Sequence, residues 1–316
     1  MNSRKLRVAA VQAVSLDGEI ERNLGHAEPL IARAVDGGAE LLLLPELYPT
    51  GFRMTCEIWD AAEPFLGTTV AWLQAMARRH QIWIGTSFLE AAEADLYNTF
   101  ALVAPDGEIA GRVRKSMPAG PEAYFYRGGD DRHVIDTPLG RIGVSICYEQ
   151  MLAPVVRELH AGRIDLLLMP HSAPRPTVQR GFSQRDVARF LDLIRLGPKW
   201  LAQTLGVPAV MANKAGPWKT PLPFIFPPGD SVFCGGSGVF DAQGRELVQL
   251  GVDEGVAIAG TVMDSAHTRP SLPVMSGRWS RPMRWFTRIW RLAEGYGSLH
   301  YRLSRKRRNI AESVAG

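Results

Sequence analysis

Cysteine is scarce in this chain. Three residues, Cys56, Cys147 and Cys234, are scattered over 316 positions. An odd number at such separations excludes a disulfide framework and the close spacing of a zinc cluster, and it points to a reducing cytoplasm. Long apolar runs are missing as well, because nothing approaches the ~20 consecutive residues that a membrane-spanning helix needs. The start, Met1-Asn2-Ser3-Arg4-Lys5-Leu6, leads straight into a strand-like run and leaves no room for a signal peptide. No GxxxxGK(S/T) phosphate loop, HExxH zinc helix or GxSxG serine elbow occurs.

Outside one segment the chain also lacks an excess of positive charge. Ten basic residues and a single acid, Glu294, lie between Arg278 and Arg308, a net +9. The whole chain carries +4, so the remainder carries −5. The high isoelectric point therefore belongs to the C-terminal segment, and charge gives the body no reason to bind nucleic acid.

What is present is an alternation of strand and helix. Leu6 to Val14 reads as a strand, and Asn23 to Val35 as a helix stopped by Asp36-Gly37-Gly38. Leu41-Leu42-Leu43-Leu44 reads as a buried strand closed by Pro45-Glu46, and Thr68 to His80 as a helix. Strands follow at 82–88, 99–104 and 109–113, the last two joined by the Pro105-Asp106-Gly107-Glu108 hairpin turn. Further strands are expected at 134–137, 142–147, 165–169, 208–212, 238–240, 246–250 and 256–262. Helices are expected at 152–160 and at 187–205, the second interrupted at Gly197-Pro198. This order predicts an α/β fold with mixed sheets. Two hairpin turns of similar composition, at 105–108 and 241–244, hint at two similar halves.

Ile142-Gly143-Val144-Ser145-Ile146 delivers a thiol, Cys147, to the end of a buried strand. Strand ends are where α/β proteins place reactive groups. Glu46 stands at the end of the all-leucine strand and Lys115 at a hairpin exit. Taken singly, each has an ordinary reading: a core thiol, a helix-terminal carboxylate, a solvated lysine. Together they make chemical sense. A thiol with an ordinary pKa of ~8.5 needs a base near neutrality. The anion that forms after attack on a carbonyl or nitrile carbon needs donors, such as an ammonium and the Tyr148 backbone N–H. The carboxylate can then protonate a leaving amine and activate water.

At this point the sequence resembles the nitrilase, or carbon–nitrogen hydrolase, superfamily. The matching stretches are Leu43-Leu44-Pro45-Glu46-Leu47, Gly111-Arg112-Val113-Arg114-Lys115 and Gly143-Val144-Ser145-Ile146-Cys147-Tyr148-Glu149, in that order. Val11-Gln12, Leu168-Met169-Pro170, Ala212-Asn213-Lys214-Ala215-Gly216 and Gly236-Ser237-Gly238 also fit, so the likeness covers roughly residues 6 to 264. The resemblance implies a four-layer αββα sandwich with two mixed β-sheets and a homodimer or larger homo-oligomer. It implies catalysis through a covalent thioester-like intermediate, with Cys147 as nucleophile, Glu46 as general base and Lys115 as oxyanion stabiliser. It also implies that Glu122 positions Lys115 and substrate. No cofactor and no metal are expected.

Tyr148, where nitrilases commonly have tryptophan, favours an amide or N-carbamoyl substrate over a nitrile. Cys147-Tyr148-Glu149 also resembles a branch of N-acyltransferases that carries membrane spans, absent here, so acyl transfer to an amine or lipid stands beside hydrolysis. Tyr48, Tyr124, Tyr148 and His171, on loops after strand ends, are candidate substrate-binding residues. The proline- and phenylalanine-rich stretch 221–229 reads as a flap over the site or a plain connection.

The division expected is a hydrolase domain at 1–270 and an extension at 271–316. From Pro282 to Glu294 the extension is amphipathic. Trp285, Phe286, Ile289, Trp290 and Leu292 fall on one side of a helical wheel, Arg284, Arg288 and Arg291 on the other. With Arg305-Lys306-Arg307-Arg308 behind it, the segment reads as a helix packed on protein, or as one making peripheral contact with an anionic inner-membrane surface.

Overall fold

The computed structural model describes residues 3–179, 182–224, 226–266, 268–281 and 284–315, with backbone alone at 284–287. In chain order its elements are β1 (Ser3–Gln12), α1 (Ile20–Asp36), β2 (Leu41–Leu43), α2 (Thr68–His80), β3 (Trp83–Ala92), β4 (Asp95–Val103) and β5 (Ile109–Arg114). Then come β6 (Val134–Thr137), β7 (Gly140–Val144), α3 (Ala153–Ala161), β8 (Leu166–Pro170), α4 (Gln184–Leu205) and β9 (Ala209–Ala212). The chain closes with β10 (Pro217–Thr220), β11 (Gly229–Val232), β12 (Gly238–Phe240), β13 (Glu246–Gln249), β14 (Gly255–Asp264), α5 (Arg284–Leu303) and α6 (Arg305–Ala315).

Two six-stranded mixed sheets result, ordered β14-β1-β2-β3-β4-β5 and β13-β12-β9-β8-β7-β6. They share one grammar. Three parallel strands, β1-β2-β3 or β7-β8-β9, have one antiparallel strand on one side and an antiparallel pair on the other. The turns at 105–108 and 241–244 close equivalent hairpins, β4–β5 and β12–β13, which is the duplication their composition suggested.

The pleat explains why these strands are apolar on both sides. Leu6, Val8 and Ala10 of β1, Leu41 and Leu43 of β2, and Leu166 and Leu168 of β8 meet in one core between the sheets. The alternate residues Ala9, Val11 and Leu42 face α1 and α2 through Ala27, Ile31, Val70 and Leu73. Leu167, Met169 and Met211 face α3 and α4 through Val156, Leu159, Leu201 and Leu205. Four layers, αββα, follow, with each buried leucine contributing roughly 1.5–3 kcal/mol.

Three details differ from the sequence reading. The 184–205 helix is continuous, with Pro198 inside it. Its buried stripe of Leu193, Ile194, Leu201 and Leu205 outweighs the hydrogen bond that proline cannot donate. Gly197 there marks a close approach, because a Cβ would collide with the Gln150 side chain. Strand β7 stops at Val144, and Cys147 opens a 3₁₀ turn, Cys147–Met151. Strands β3 and β4 form a hairpin whose turn lacks glycine and proline and instead places Glu93 at φ 53°.

The C-terminal helices pack on the body. Ala293 and Gly297 of α5 are buried, and Gly297 lies against Ala123 and Tyr124. From α6, Arg307 pairs with Asp95 at 2.8 Å. Ile289 and Trp290 turn inward to line a cavity, whereas Leu292 points outward. The side chains of Trp285 and Phe286 lie outside the described residues.

Candidate active site

Glu46 sits just past β2, at a crossing between the two sheets. Its N–H donates to the His171 carbonyl at 3.2 Å, and its own carbonyl accepts from Ser172 Oγ at 2.6 Å. Both partners follow β8 of the opposite sheet. Leu47, next in line, takes φ 45°, a left-handed conformation costly for a branched side chain. It is held there by Ser87 Oγ on its N–H at 2.8 Å and by Lys214 Nζ on its carbonyl at 2.9 Å. Lys214 is fully buried, and burial brings its pKa down to about 7.

Lys115 leaves β5 and is likewise fully buried. Its ammonium donates to Glu46 Oε1 at 2.7 Å and to Glu122 Oε2 at 2.8 Å. Burial opposes that charge, but Glu122 and Glu46 outweigh it and hold the pKa well above the usual lysine value. Glu122 lies in a 3₁₀ turn, Gly120–Tyr124, where its Oε2 also accepts the Ala119 N–H at 2.6 Å. Burial pushes the Glu122 pKa up, against the pull of Lys115. Asn98 Nδ2 adds a donor to Glu46 Oε1 at 2.8 Å. Glu46 Oε2 is buried with no hydrogen-bond partner among the described residues. One oxygen of this carboxylate is therefore fixed and the other is open to take a proton.

Cys147 adopts φ 51° at the turn after β7. Its thiol is half-buried and lines the cavity together with Glu122, Tyr148, Gln150 and Ser172. Burial raises the thiol pKa well above its ordinary value. Glu46 and Glu122 add to the rise, while Lys115 and the Ser172 N–H oppose it. Held this way, the group is a thiol at neutral pH and would need a base to act as a nucleophile.

Of the four other candidate residues, Tyr148 lines the cavity. Tyr48 is fully buried in the core between the first sheet and its helices. His171 is fully buried, with Nδ1 on the Met169 carbonyl at 3.1 Å and Nε2 against the Gln150 amide at 3.0 Å. Burial lowers its pKa to about 4, which leaves a neutral ring that supports Glu46 through its backbone. Tyr124 packs at a tilt against His300 of α5, with ring centroids 5.3 Å apart. The 221–229 stretch joins β10 to β11, and Leu222, Phe226 and Pro228 line the cavity.

Sequence reasoning passed over Asn98 and His133, whereas Ser172, placed with His171 after Pro170, lines the cavity. His133 Nε2 meets Glu149 Oε1 at 2.8 Å, and its Nδ1 meets Glu158 Oε2 at 3.1 Å. Glu149 in turn accepts from Ser116 N–H, Ser116 Oγ and Ile146 N–H, each at 2.7 Å, so it ties the lysine turn to the cysteine turn. A carboxylate two positions after the cysteine was the only local signal of this brace. Among the described residues no group of three or more His, Cys, Asp or Glu side chains is set to hold a metal.

Fold and cluster together define the class: an αββα sandwich whose cavity is lined by a thiol and by one acid of a buried acid–ammonium–acid group has the architecture of a hydrolase. The family is more specific. The model described as carbon-nitrogen hydrolase matches residues 7–268, and the chain belongs to that family. The chain is 30% identical over 223 residues to N-carbamoylputrescine amidase of Solanum tuberosum, covering 68% of this chain and 72% of that one. In structure it is similar to a carbon-nitrogen hydrolase from Helicobacter pylori G27, with a TM-score of 0.70, 20% identity and 96% of each chain covered. It is also similar to the amidase of Nesterenkonia sp. AN1, with a TM-score of 0.63, 23% identity, and 82% of this chain and 92% of that one covered. The Nesterenkonia structure shows acrylamide added to that enzyme's active-site cysteine.

Proposed function

We propose that this enzyme hydrolyses the carbon–nitrogen bond of a small non-peptide amide or N-carbamoyl compound, with Cys147 as nucleophile. The observation that carries the reading is the half-engaged Glu46. Its Oε1 is anchored by Lys115 and Asn98, its Oε2 has no hydrogen-bond partner among the described residues, and its charge helps to keep Cys147 a thiol. Sγ attacks the carbonyl carbon while its proton passes to Glu46 Oε2. Lys115 Nζ and the Tyr148 N–H stabilise the oxyanion, and Glu122 keeps the ammonium aimed. Collapse breaks the C–N bond, and the departing amine takes the proton from Glu46. Glu46 then deprotonates a water that attacks the thioester-like carbon, and the thiol leaves reprotonated. The curated relative acts on an N-carbamoyl amine and the Nesterenkonia enzyme is an amidase; both support this substrate class.

Residues 1–270 are read as the catalytic body and 271–316 as its extension. The outward face of α5 carries Leu292, Tyr296, Leu299 and Leu303, exposed at 56%, 59%, 55% and 73%, one per helical turn. Exposed Arg288, Arg291 and Arg302 flank this stripe. An apolar stripe edged by cations fits an anionic lipid surface, and we read it as the peripheral membrane contact.

Ammonia release from a panel of amides, carbamoyl amines and nitriles tests the chemistry. Cys147→Ala is expected to abolish turnover with unfolding temperature retained. Glu46→Gln is expected to lower kcat by ~10²–10⁴ with KM little changed. A mass increment trapped on Cys147 supports the covalent route. Turnover by Cys147→Ala would sink it, and product analysis with added amine separates transfer from hydrolysis.

A further inference from the structure

The cavity at Cys147, about 280 Å³, falls just below the ~300–1,000 Å³ of small-molecule sites. Of its polar residues, Glu122, Gln150 and Ser172 belong to the catalytic cluster and its supports, while Thr177, Gln179 and Ser231 lie elsewhere on the wall. Arg175 and Asp230 are exposed at its open side. Much of the remaining wall is apolar, with Phe52, Met54, Met151, Leu193, Ile194 and Phe226 from the body. One section does not come from the body at all. Ile289 and Trp290 of α5 line the same space, although the carbon-nitrogen hydrolase match ends at residue 268.

That section is built rather than incidental. The Trp290 ring lies 6.4 Å from the Tyr148 ring and edge-on to Phe226 at 6.0 Å. Its other neighbour is Gly120, at φ 49°, where a Cβ would stand 2.6 Å from the indole. Gly120 opens the turn that carries Glu122, and its N–H reaches Glu294 of the same helix. Trp279 Nε1 donates to Tyr148 Oη at 2.7 Å, so the segment also grips the residue next to the nucleophile. Arg278 and Glu294, paired at 2.6 Å, tie the approach of the segment to its helix.

We infer that the C-terminal segment completes the substrate site, and that Trp290, with Tyr148, selects substrates bearing an apolar group several carbons long. The inference rests on the reading of Cys147 as nucleophile, which places the scissile carbonyl at the polar end and the apolar substituent against Trp290. Trp290 is a specificity-determining residue in this account. Removing its ring uncovers apolar surface against a long substituent and leaves a one-carbon substituent untouched.

The experiment measures binding apart from chemistry. Acetamide and hexanamide are titrated calorimetrically into Cys147→Ala and into Cys147→Ala/Trp290→Ala, with thermal unfolding as a folding control. The single variant is expected to bind hexanamide more tightly than acetamide. The added Trp290→Ala is expected to weaken hexanamide roughly tenfold and acetamide less than about twofold. Trp290→Phe is expected to restore most of the preference. Equal weakening of both amides, or no preference for hexanamide in the first variant, overturns the inference. Turnover of both amides is then measured on the enzyme with Cys147 intact. Selective binding without turnover or adduct would instead overturn the hydrolase reading and leave the apolar wall standing.

Discussion

Glu149 shows how a single side chain can register two turns of the proposed site. Its two oxygens accept four hydrogen bonds, from Ser116 twice, Ile146 and His133, and it is fully buried. Burial alone would raise its pKa, but His133, with the Ser116 and Ile146 hydrogen bonds, outweighs burial and the net shift is downward. Burial likewise opposes charge on His133, yet Glu149 and Glu158 raise its pKa from 6.5 to about 10. A pKa higher in the folded state means that protonation favours folding. The contribution is full below about pH 6.5 and fades as pH rises through about 10. Lys214 acts oppositely, since its folded value of about 7 lies below 10.5 and its penalty lifts as pH rises through that range. The comparison that isolates the imidazolium is therefore wild type against His133→Asn, in which the lysine is common to both. Unfolding temperature is expected to be higher for wild type at pH 6.5, with the gap narrowing toward pH 10. A gap independent of pH would show that the ring is neutral in the fold. Glu46, Lys115 and Cys147 were legible because each ends an apolar strand or hairpin, where a polar side chain needs a reason. His133 and Asn98 carry no such signal, since each becomes meaningful only through partners chosen by tertiary structure.

Short turns, more than the long elements, do the positioning. Cys147 and Glu122 both belong to 3₁₀ turns, and each turn is held from within by its own glutamate: Glu149 on the Ile146 N–H, Glu122 on the Ala119 N–H. Such turns leave little periodicity, which is why β7 reads from sequence as running to Cys147 when it ends at Val144. The opposite error occurs in α4, where Gly197-Pro198 reads as an interruption and is instead a close approach to Gln150. Gly120 makes the dependence on backbone testable. Gly120→Ala forces a Cβ into the Trp290 ring and sets an L-residue at φ 49°. Strain of this type costs about 1–3 kcal/mol. The unfolding temperature is expected to fall, with kcat falling further than destabilisation explains, because Glu122 moves with the turn. Retained kcat at full occupancy of the fold would show that this turn tolerates displacement without loss of lysine alignment.

At the scale of the molecule, duplication explains how residues about a hundred positions apart meet. Glu46 follows β2 and Ser172 follows β8, which are the central parallel strands of the two sheets, and the two residues bond directly across the interface. Cys147 follows β7, beside β8. Parallel strands deliver their ends to one edge, and facing two such sheets brings both edges to one place. The C-terminal segment lies outside this duplication and is amphipathic on two sides. Its inner side closes the cavity through Ile289 and Trp290, and its outer side presents the stripe at 292, 296, 299 and 303. A helical wheel drawn from sequence merges these two apolar arcs, because it cannot tell which arc meets protein. Their separation allows the outer face to be changed without touching the site. Leu292→Ser/Leu299→Ser/Leu303→Ser is expected to keep the unfolding temperature and amide turnover. It is also expected to lose flotation with vesicles containing phosphatidylserine, while the unaltered chain floats with these and not with purely zwitterionic vesicles. Equal flotation of the two forms would remove the lipid assignment. A change in sedimentation without any flotation would give the stripe to a second copy of the chain.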